Sequence, residues 1–274
     1  MTLPATISPA DFMASAAYGP AGPSNGSSPW AVRYAGELRQ VVIEHAANAP
    51  RSLQTRLGPS ELGHQCDRQV IGKMAGVPRT NHVTDPWPSV MGTAGHAWMD
   101  GAFTADNSRH GHRWEPERKV QPWPGAEGTS DLYDHKQFAV VDHKFLGDST
   151  LGDLRRHGPP WHYYVQLLLY GLGYRREGFR VDRVVIVAWP RTKSSLAGMY
   201  VWDHPLTDAD DAILVQVYQL TQVRRRVAEL VASGQLTINQ VPATPDDDSC
   251  YFCPFYRPQS AHDGGPGCPG NRAP

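Results

Sequence analysis

The segment from residue 128 to residue 144 constrains the fold more than any other stretch of the chain. Residues 138–141 form an apolar run, mostly β-branched or aromatic, which is typical of a strand covered on both faces. Residues 128–133 precede it, and a turn near residues 134–137 separates the two segments. The spacing predicts an antiparallel β-hairpin at the centre of the chain.

Three polar residues follow the apolar run, so burial is expected to end there. Because side chains alternate between the two faces of a strand, Asp142 and Lys144 point the same way, whereas His143 points the other. Antiparallel pairing through a four-residue turn brings Asp131 close to Asp142. Two carboxylates and a lysine around one point suit Mg²⁺ or Mn²⁺ in phosphodiester hydrolysis. The alternative interpretation is a surface hairpin with an exposed Asp–Lys pair.

The remaining pattern predicts an α/β fold of several helices and five strands. Apolar periodicity predicts helices at residues 31–47, from 59 through Cys66, 89–103, 161–174 and 207–233, and further strands at residues 115–121, 179–189 and 199–204. Ser60 is the predicted N-cap of the second helix. Residues 105–112 and 145–160 are predicted to be loops.

Length and composition limit the function classes. At 274 residues with a net charge of −1, the chain can bury one good core but has no global basic field, which counts mildly against nucleic-acid binding. Bound metal ions would add local positive charge that this count omits. No apolar run is long enough to cross a membrane and the first ten residues lack a signal pattern, so we expect a cytoplasmic protein.

Two candidate sites come from single helices. The helix predicted at residues 89–103 carries His96 behind small residues, which would let a phosphate or a strand approach closely. On the next helix, Gln166 and Tyr170 are four residues apart and therefore share a face. Because that helix is apolar on nearly every side, Gln166 should be buried and must find hydrogen-bond partners.

The four cysteines suggest a metal centre. Cys250 and Cys253 form a CxxC motif, Cys268 follows it, and Cys66 lies far upstream. Such a set can be a zinc knuckle, a disulfide pair or an iron–sulfur cluster. Disulfides are disfavoured because nothing indicates secretion, but the residues alone do not separate zinc from a cluster.

These motifs together resemble a known superfamily. Gly128-x-x-Asp131, Asp142-x-Lys144 and Gln166-x-x-x-Tyr170 resemble the PD-(D/E)XK nucleases, specifically their RecB-type exonuclease branch. The resemblance implies a restriction-endonuclease-like α/β core, in which helices flank a central mixed sheet. It also implies a nuclease domain at residues 51–274 whose tail, 245–274, carries a cysteine cluster. Composition and periodicity, not the resemblance, predict a Pro/Gly/Ala-rich arm and short helix at residues 1–50 before this domain.

The resemblance also assigns roles to residues. It implies that His96, Asp131, Asp142 and the backbone carbonyl of His143 hold Mg²⁺ or Mn²⁺. Lys144 would orient the attacking water or stabilise the developing charge. Gln166 would position Lys144 or the water, and Tyr170 would contact nucleic acid.

One cysteine lies before the helix that carries His96, and three lie after the core. This layout resembles that of the iron–sulfur members of the branch, which include the AddB nuclease domain and CRISPR-associated RecB-like exonucleases. A 4Fe-4S cluster on Cys66, Cys250, Cys253 and Cys268 would then pin the tail to the N-terminal helix. The separation of Cys253 and Cys268 is longer than the compact spacing of that group, and His262 is the alternative fourth ligand.

The implied activity is metal-dependent exonuclease action on DNA, on single-stranded ends. The alternatives are a catalytically inactive DNA-binding subunit stabilised by a cluster or zinc, and an endonuclease of the same fold. Because the chain contains no GxxxxGK[ST] motif, any helicase activity must come from a partner in unwinding or recombination. An oligomer is compatible with the sequence.

Overall fold

The computed structural model describes residues 28–48, 57–81, 85–245 and 247–270. The chain divides into two compact units, Met1–Asn48 and Ala49–Pro274. In the first, helix α1 (Pro29–Ala47) begins behind Ser28, whose hydroxyl accepts a hydrogen bond from the Ala31 amide at 3.1 Å. The arm predicted before this helix lies outside the described residues.

The second unit contains a sheet and further helices. In chain order its elements are α2 (Pro59–Leu62), α3 (Asp67–Met74), α4 (Trp87–His110), β1 (Trp114–Val120), β2 (Gly128–Asp134), β3 (Ala139–Leu146), α5 (Asp148–His157), α6 (Trp161–Arg176), β4 (Arg183–Pro190), β5 (Tyr200–Pro205), α7 (Asp208–Ala232), α8 (Asp247–Phe252) and α9 (Ser260–Asp263). Single 3₁₀ turns lie at Leu196–Gly198 and Ile238–Gln240. Among the described helices, none combines the length and apolar character needed to span a bilayer.

The five strands form one mixed sheet in the order β1-β2-β3-β4-β5. β3 and β4 are parallel, and the other neighbouring pairs are antiparallel. The predicted α/β fold with a central mixed sheet and flanking helices is confirmed. The central hairpin is β2 and β3, in which Leu132 pairs with Val141.

The hairpin turn follows from the side chain of Asp134. Its Oδ1 accepts hydrogen bonds from the amides of Lys136 at 2.8 Å and Gln137 at 3.2 Å, as in an Asx turn. Phe138 then has a φ of 50°, in the left-handed region. This conformation does not continue a strand, so β3 begins at Ala139 rather than at Phe138 as predicted.

Helices cover both faces of the sheet. α5 and α6 pack on one face around Val140, with Leu154 and Tyr174 as their buried contacts. On the other face α4 packs Phe103 against Leu132. α2, α3 and α7 pack outside α6, which is buried along most of its length, as its apolar sequence predicts.

Two predicted loops are partly helical. α4 continues to His110 because polar residues in its last turns bond to the next strand: Asp106 Oδ2 accepts from Trp114 Nε1 at 2.8 Å, and Asn107 Oδ1 accepts from the Trp114 amide at 2.9 Å. α5 lies inside the segment predicted to be a loop, and it forms because it buries Leu151 and Leu154.

The helix predicted to carry Cys66 is interrupted before it reaches that residue. α2 ends at Leu62, and Gly63 follows where an added Cβ would lie 2.7 Å from the Val165 Cβ. Cys66 is the residue immediately before α3. Gly58, not Ser60, is the N-cap of α2, and its amide bonds to Glu61 at 3.4 Å.

Candidate functional site

The hairpin positions the first carboxylate of the site. Asp131 Oδ2, on β2, accepts a hydrogen bond from the backbone amide of His143, on β3, at 2.7 Å. Leu132 pairs with Val141, and the same register continued by one residue places Asp131 beside Asp142. The two acids proposed from strand alternation therefore lie close together.

Asp142, Lys144 and two residues of α6 form one buried network. Lys144 Nζ lies 2.8 Å from Asp142 Oδ2 and donates a hydrogen bond to Gln166 Oε1 at 3.2 Å. Gln166 Nε2 donates to Asp142 Oδ1 at 3.1 Å and lies 3.3 Å from the Tyr170 hydroxyl. The buried Gln166 is thus bonded to both ionic partners, and the ring of Tyr163 lies under Lys144 Nζ at 4.4 Å.

α4 brings His96 to the same place. A Cβ on Gly95 would collide with the ring of Phe145 on β3, so the helix approaches the strand closely only because this residue is glycine. His96 packs edge-on against the same ring, with 5.5 Å between centroids. Its Nδ1 lies 3.4 Å from Asp131 Oδ2.

The two carboxylates have different electrostatic environments. Burial raises the pKa of Asp131, but hydrogen bonding and charge attraction from His96 outweigh it and hold the pKa below its ordinary value. Asp142 is buried more completely, and desolvation raises its pKa to about 6 despite the opposing charge of Lys144. Metal-free protein therefore binds a proton at Asp142 more readily than at Asp131.

The two basic groups are shifted toward their charged forms. Burial lowers the pKa of His96, but the contacts with Asp131 and the charge of Asp142 outweigh it, so the pKa is raised. Burial likewise favours neutral Lys144, and the attraction of Asp142, Tyr163 and Asp131 raises its pKa instead. Desolvation can lower a lysine pKa, but here the neighbouring acids keep Lys144 charged.

A further acidic residue reaches the site from β1. Glu115 and Glu117 both lie on this strand, and neither belongs to a sequence motif. Glu117 has a φ of 50° and faces Asp131, since Pro116 pairs with Leu132 and Arg118 with Ser130. Ligand atoms of His96, Glu117 and Asp131 all lie within 4.8 Å of one another. Strand alternation places Glu115 and Glu117 on the same face of β1, so the sequence pattern does not separate them. Only the unusual φ distinguishes Glu117 from Glu115.

His143 points away from the acids, as alternation predicts. Its buried imidazole stacks on Phe103, with 5.6 Å between centroids, and contacts Trp189. Burial lowers the pKa of this ring to about 4, so it is neutral. Its predicted ligand atom is the backbone carbonyl, and that role stays a prediction.

The donor set fits a divalent metal ion. Carboxylate oxygens suit Mg²⁺ and Mn²⁺, and an imidazole nitrogen shifts the preference toward Mn²⁺. The structure brings together all the predicted catalytic and metal-binding side chains, namely His96, Asp131, Asp142, Lys144, Gln166 and Tyr170. The roles assigned to them stay predictions.

The four cysteines line one pocket together with residues of α3 and the tail. Cys268 reaches it because the tail folds back on itself: its amide donates to the Phe255 carbonyl at 2.7 Å, and its carbonyl accepts from the Arg257 amide at 2.8 Å. The long segment before Cys268 therefore closes as a loop. Among the described residues that line the pocket, Cys268 is present and His262, the alternative ligand, is not.

The Cys66 segment is fixed by a buried arginine of α7. Arg224 donates to the carbonyls of Leu62 at 3.1 Å and His64 at 2.9 Å, and it forms an ion pair with Asp67 at 2.7 Å. These contacts hold the turn between α2 and α3 and thereby the position of Cys66. Arg224 belongs to a basic run in the sequence, and here it has a structural role.

A second arginine contacts a cysteine directly. Arg68 Nη1 lies 3.3 Å from Cys268 Sγ, and Arg68 Nε donates to the Val241 carbonyl at 2.9 Å. Arg68 therefore links α3 to both the Cys268 sulfur and the segment after α7. No sequence motif identifies Arg68, because the contact joins residues from opposite ends of the chain.

Comparisons with known proteins identify no family for the chain. No protein-family model matches the chain, and no curated protein matches it. Two solved structures are similar in fold, each with a TM-score of 0.38. An alkaline exonuclease from Laribacter hongkongensis is 11% identical, with 64% of this chain and 95% of that chain covered. A phage-related exonuclease from Haemophilus somnus 129PT is 12% identical, with 66% and 96% covered. At these identities and scores the similarity assigns neither an activity nor a site residue.

Proposed function

We propose that the chain is a metal-dependent DNA exonuclease of the RecB-type PD-(D/E)XK class that acts on single-stranded ends. The observation that carries the proposal is the convergence of a histidine, two aspartates and a charged lysine from α4, β2 and β3. His96 lies 3.4 Å from Asp131, and Lys144 lies 2.8 Å from Asp142. A surface hairpin with an exposed Asp–Lys pair would not bury Asp142, which is 1% exposed.

In this proposal His96, Asp131, Asp142 and the His143 carbonyl hold Mg²⁺ or Mn²⁺, with Glu117 in reach as a further acid. A divalent ion supplies Lewis-acid chemistry: it acidifies a water and offsets the charge of the phosphodiester. Asp142 must lose its proton for this role, and the adjacent Lys144 charge favours its ionised form.

The chain's own groups orient the reaction. Lys144 is a charged donor beside Asp142 and stabilises negative charge that develops on the phosphate. Gln166 accepts from Lys144 and donates to Asp142, so it fixes the distance between the ammonium and the carboxylate. The Tyr170 hydroxyl accepts a hydrogen bond from Gln166, so Tyr170 is a positioning residue.

We also propose that Cys66, Cys250, Cys253 and Cys268 hold a 4Fe-4S cluster. The four cysteines line one pocket. One cysteine before the helix that carries His96 and three after the core is also the layout of the iron–sulfur members of the branch that the sequence resembles. This layout supports a cluster over a single zinc ion.

The test of the activity is a degradation assay with Mn²⁺ and with Mg²⁺. Linear single-stranded DNA labelled at the 5′ or 3′ end should be shortened from one end, while circular single-stranded DNA stays intact. EDTA should stop the reaction. Cutting of the circular DNA would indicate an endonuclease instead of an exonuclease. If neither substrate were degraded, the result would support a binding subunit. Duplex DNA needs unwinding by a partner in this proposal and should be degraded more slowly.

The test of the cluster is the colour of protein purified without oxygen. Broad visible absorbance with iron and sulfide in equal amounts is expected of a Cys-ligated cluster. Colourless protein with one zinc ion per chain would contradict the cluster and leave the nuclease proposal standing.

A further inference from the structure

Two histidines and a glutamate meet on the surface at the end of the sheet where β1 begins. His112 precedes β1, Glu115 lies on it, and His135 follows β2. One ligand atom from each lies within 4.8 Å of the others. None of the three belongs to the candidate nuclease site or the cysteine pocket.

The backbone fixes two of these residues. The β1–β2 ladder continues past Trp114 and Asp134, because the His135 amide donates to the Arg113 carbonyl at 2.9 Å. Glu115 and His135 are therefore diagonal neighbours on one face of the hairpin. Their positions do not depend on a flexible loop.

Aromatic rings hold the His135 imidazole in place. Tyr133 contacts it edge-on with 4.9 Å between centroids, and Phe179 lies 5.9 Å away. The His112 ring lies 4.9 Å from the His135 ring. Because the His112 side chain is 66% exposed, an ion can reach the group from solvent.

Glu115 is oriented by a separate contact. Arg118 bonds to Glu115 Oε1 and is itself paired with Glu177 at 2.7 Å, so its charge is shared between two acids. Glu115 Oε2 remains directed at the histidines, 3.1 Å from His135 Nε2 and 4.0 Å from His112 Nε2. Partial burial raises the pKa of Glu115, but bonds from Arg118 and His135 outweigh it and keep the carboxylate ionised.

The spacing suits a small tetrahedral ion. Ligand atoms around Zn²⁺, at about 2.0–2.1 Å from the metal, lie roughly 3.3 Å apart. The two measured separations, 3.1 Å and 4.0 Å, bracket this value. Two imidazoles and one carboxylate favour zinc or a similar transition metal over Mg²⁺ and leave a fourth position for water.

We propose that His112, Glu115 and His135 form a separate metal site on the surface, which takes Zn²⁺ and ties the start of β1 to the end of β2. His135 is four residues beyond Asp131 on an extended strand, a distance of roughly 13 Å. The site is therefore distinct from the candidate nuclease centre.

The experiment is a Zn²⁺ titration of the full-length protein against a chromogenic chelator at pH 7.5. Wild type should bind one more Zn²⁺ per chain than the double variant His112→Ala, His135→Ala, because any zinc taken by the cysteines or the acids is common to both. The single variant His112→Ala leaves the Glu115–His135 contact intact and should lower the Zn²⁺ affinity of this one site by at least about tenfold.

The matched control is His110→Ala. His110 is an exposed histidine two residues away that contacts Asp106 at 2.9 Å instead of Glu115. The His110→Ala variant should keep the wild-type zinc stoichiometry and affinity. Equal zinc binding by wild type and the double variant would overturn the proposal, and so would an equal loss in His110→Ala, which would indicate nonspecific binding to surface imidazoles.

Discussion

The candidate nuclease site and the cysteine cluster differ in what holds their ligands in place. Asp131, Asp142 and Lys144 lie on two adjacent strands and are bonded to one another through Gln166 and a backbone amide. The cysteines come from two segments at opposite ends of the chain, and loop contacts such as Arg68 to Cys268 align them. The first site is part of the core, whereas the second connects distant segments.

This difference predicts different consequences when a ligand is lost. Removing an acid from the first site should abolish chemistry with little effect on folding. Removing a cysteine should release the tail and lower stability. Substitutions at the two sites should therefore separate loss of activity from loss of stability.

Asp142→Asn should reduce exonuclease activity by about 10³-fold, because it removes a charged ligand and leaves Lys144 without its closest counter-charge. The substitution keeps the side-chain volume and Asp131 still attracts Lys144, so the protein should remain folded. The measurement is release of label from single-stranded DNA with Mn²⁺. Asp153→Asn, at an exposed position on α5, is the matched control and should keep full activity. Full activity in Asp142→Asn would refute the catalytic assignment.

Cys268→Ala should lose the visible absorbance and lower the melting temperature by at least about 5 °C, since binding energy that stabilises the folded tail is removed. His262→Ala is the control, because that histidine is exposed and outside the pocket. Thermal denaturation and absorbance spectra of anaerobic samples give both readings. If His262→Ala lost the chromophore and Cys268→Ala kept it, the fourth ligand would be the histidine.

Gly95→Ala should lower activity by about tenfold, because the added methyl group meets the Phe145 ring and moves α4, and with it His96, away from Asp131. Gly92→Ala, one turn earlier, has nothing within 4 Å of the added group. It should keep activity and gain about 0.5–1 kcal/mol from helix propensity. Activity assays and urea denaturation of the pair separate the effects, and equal activity in both variants would show that the close approach does not position His96.

Mn²⁺ affinity at the first site should fall at least about fourfold between pH 7.5 and pH 5.5, because the pKa of Asp142 is raised by burial to about 6. The stability of the metal-free protein changes with pH in the opposite direction. Because the pKa of Asp142 is higher in the folded than in the unfolded state, this carboxyl group stabilises the fold at a pH below its unfolded-state pKa. The contribution is lost as the pH rises through about 6. Calorimetric titration at the two pH values tests the prediction. Asp142→Asn should bind weakly at both, and a wild-type affinity independent of pH would contradict it.

The sequence predicts the parts of the site that depend on short-range rules. Strand alternation places Asp142 and Lys144 together, and the four-residue turn places Asp131 beside them. The contact of His96 with Asp131 came only from family resemblance, because it joins a helix to a strand about thirty-five residues away in the chain. Five strands and the long helices were predicted, but the polar α5 was missed because only two leucines mark its buried face.

Other features were inaccessible because they depend on tertiary contacts. The left-handed φ of Glu117 leaves no trace in a strand pattern. The presence of Cys268 rather than His262 in the cysteine pocket depends on hydrogen bonds that close the tail, and those pair residues within an irregular loop. The charged state of Lys144 depends on the acids around it, and desolvation alone would have predicted the opposite shift.

The return of Cys268 to the backbone of Phe255 also has a consequence for how the protein is made. During synthesis, Cys66 leaves the ribosome long before the other three thiols exist. A centre that needs all four thiols, as we propose, can be completed only after Cys268 has emerged, so its assembly would follow synthesis of the sheet and its flanking helices.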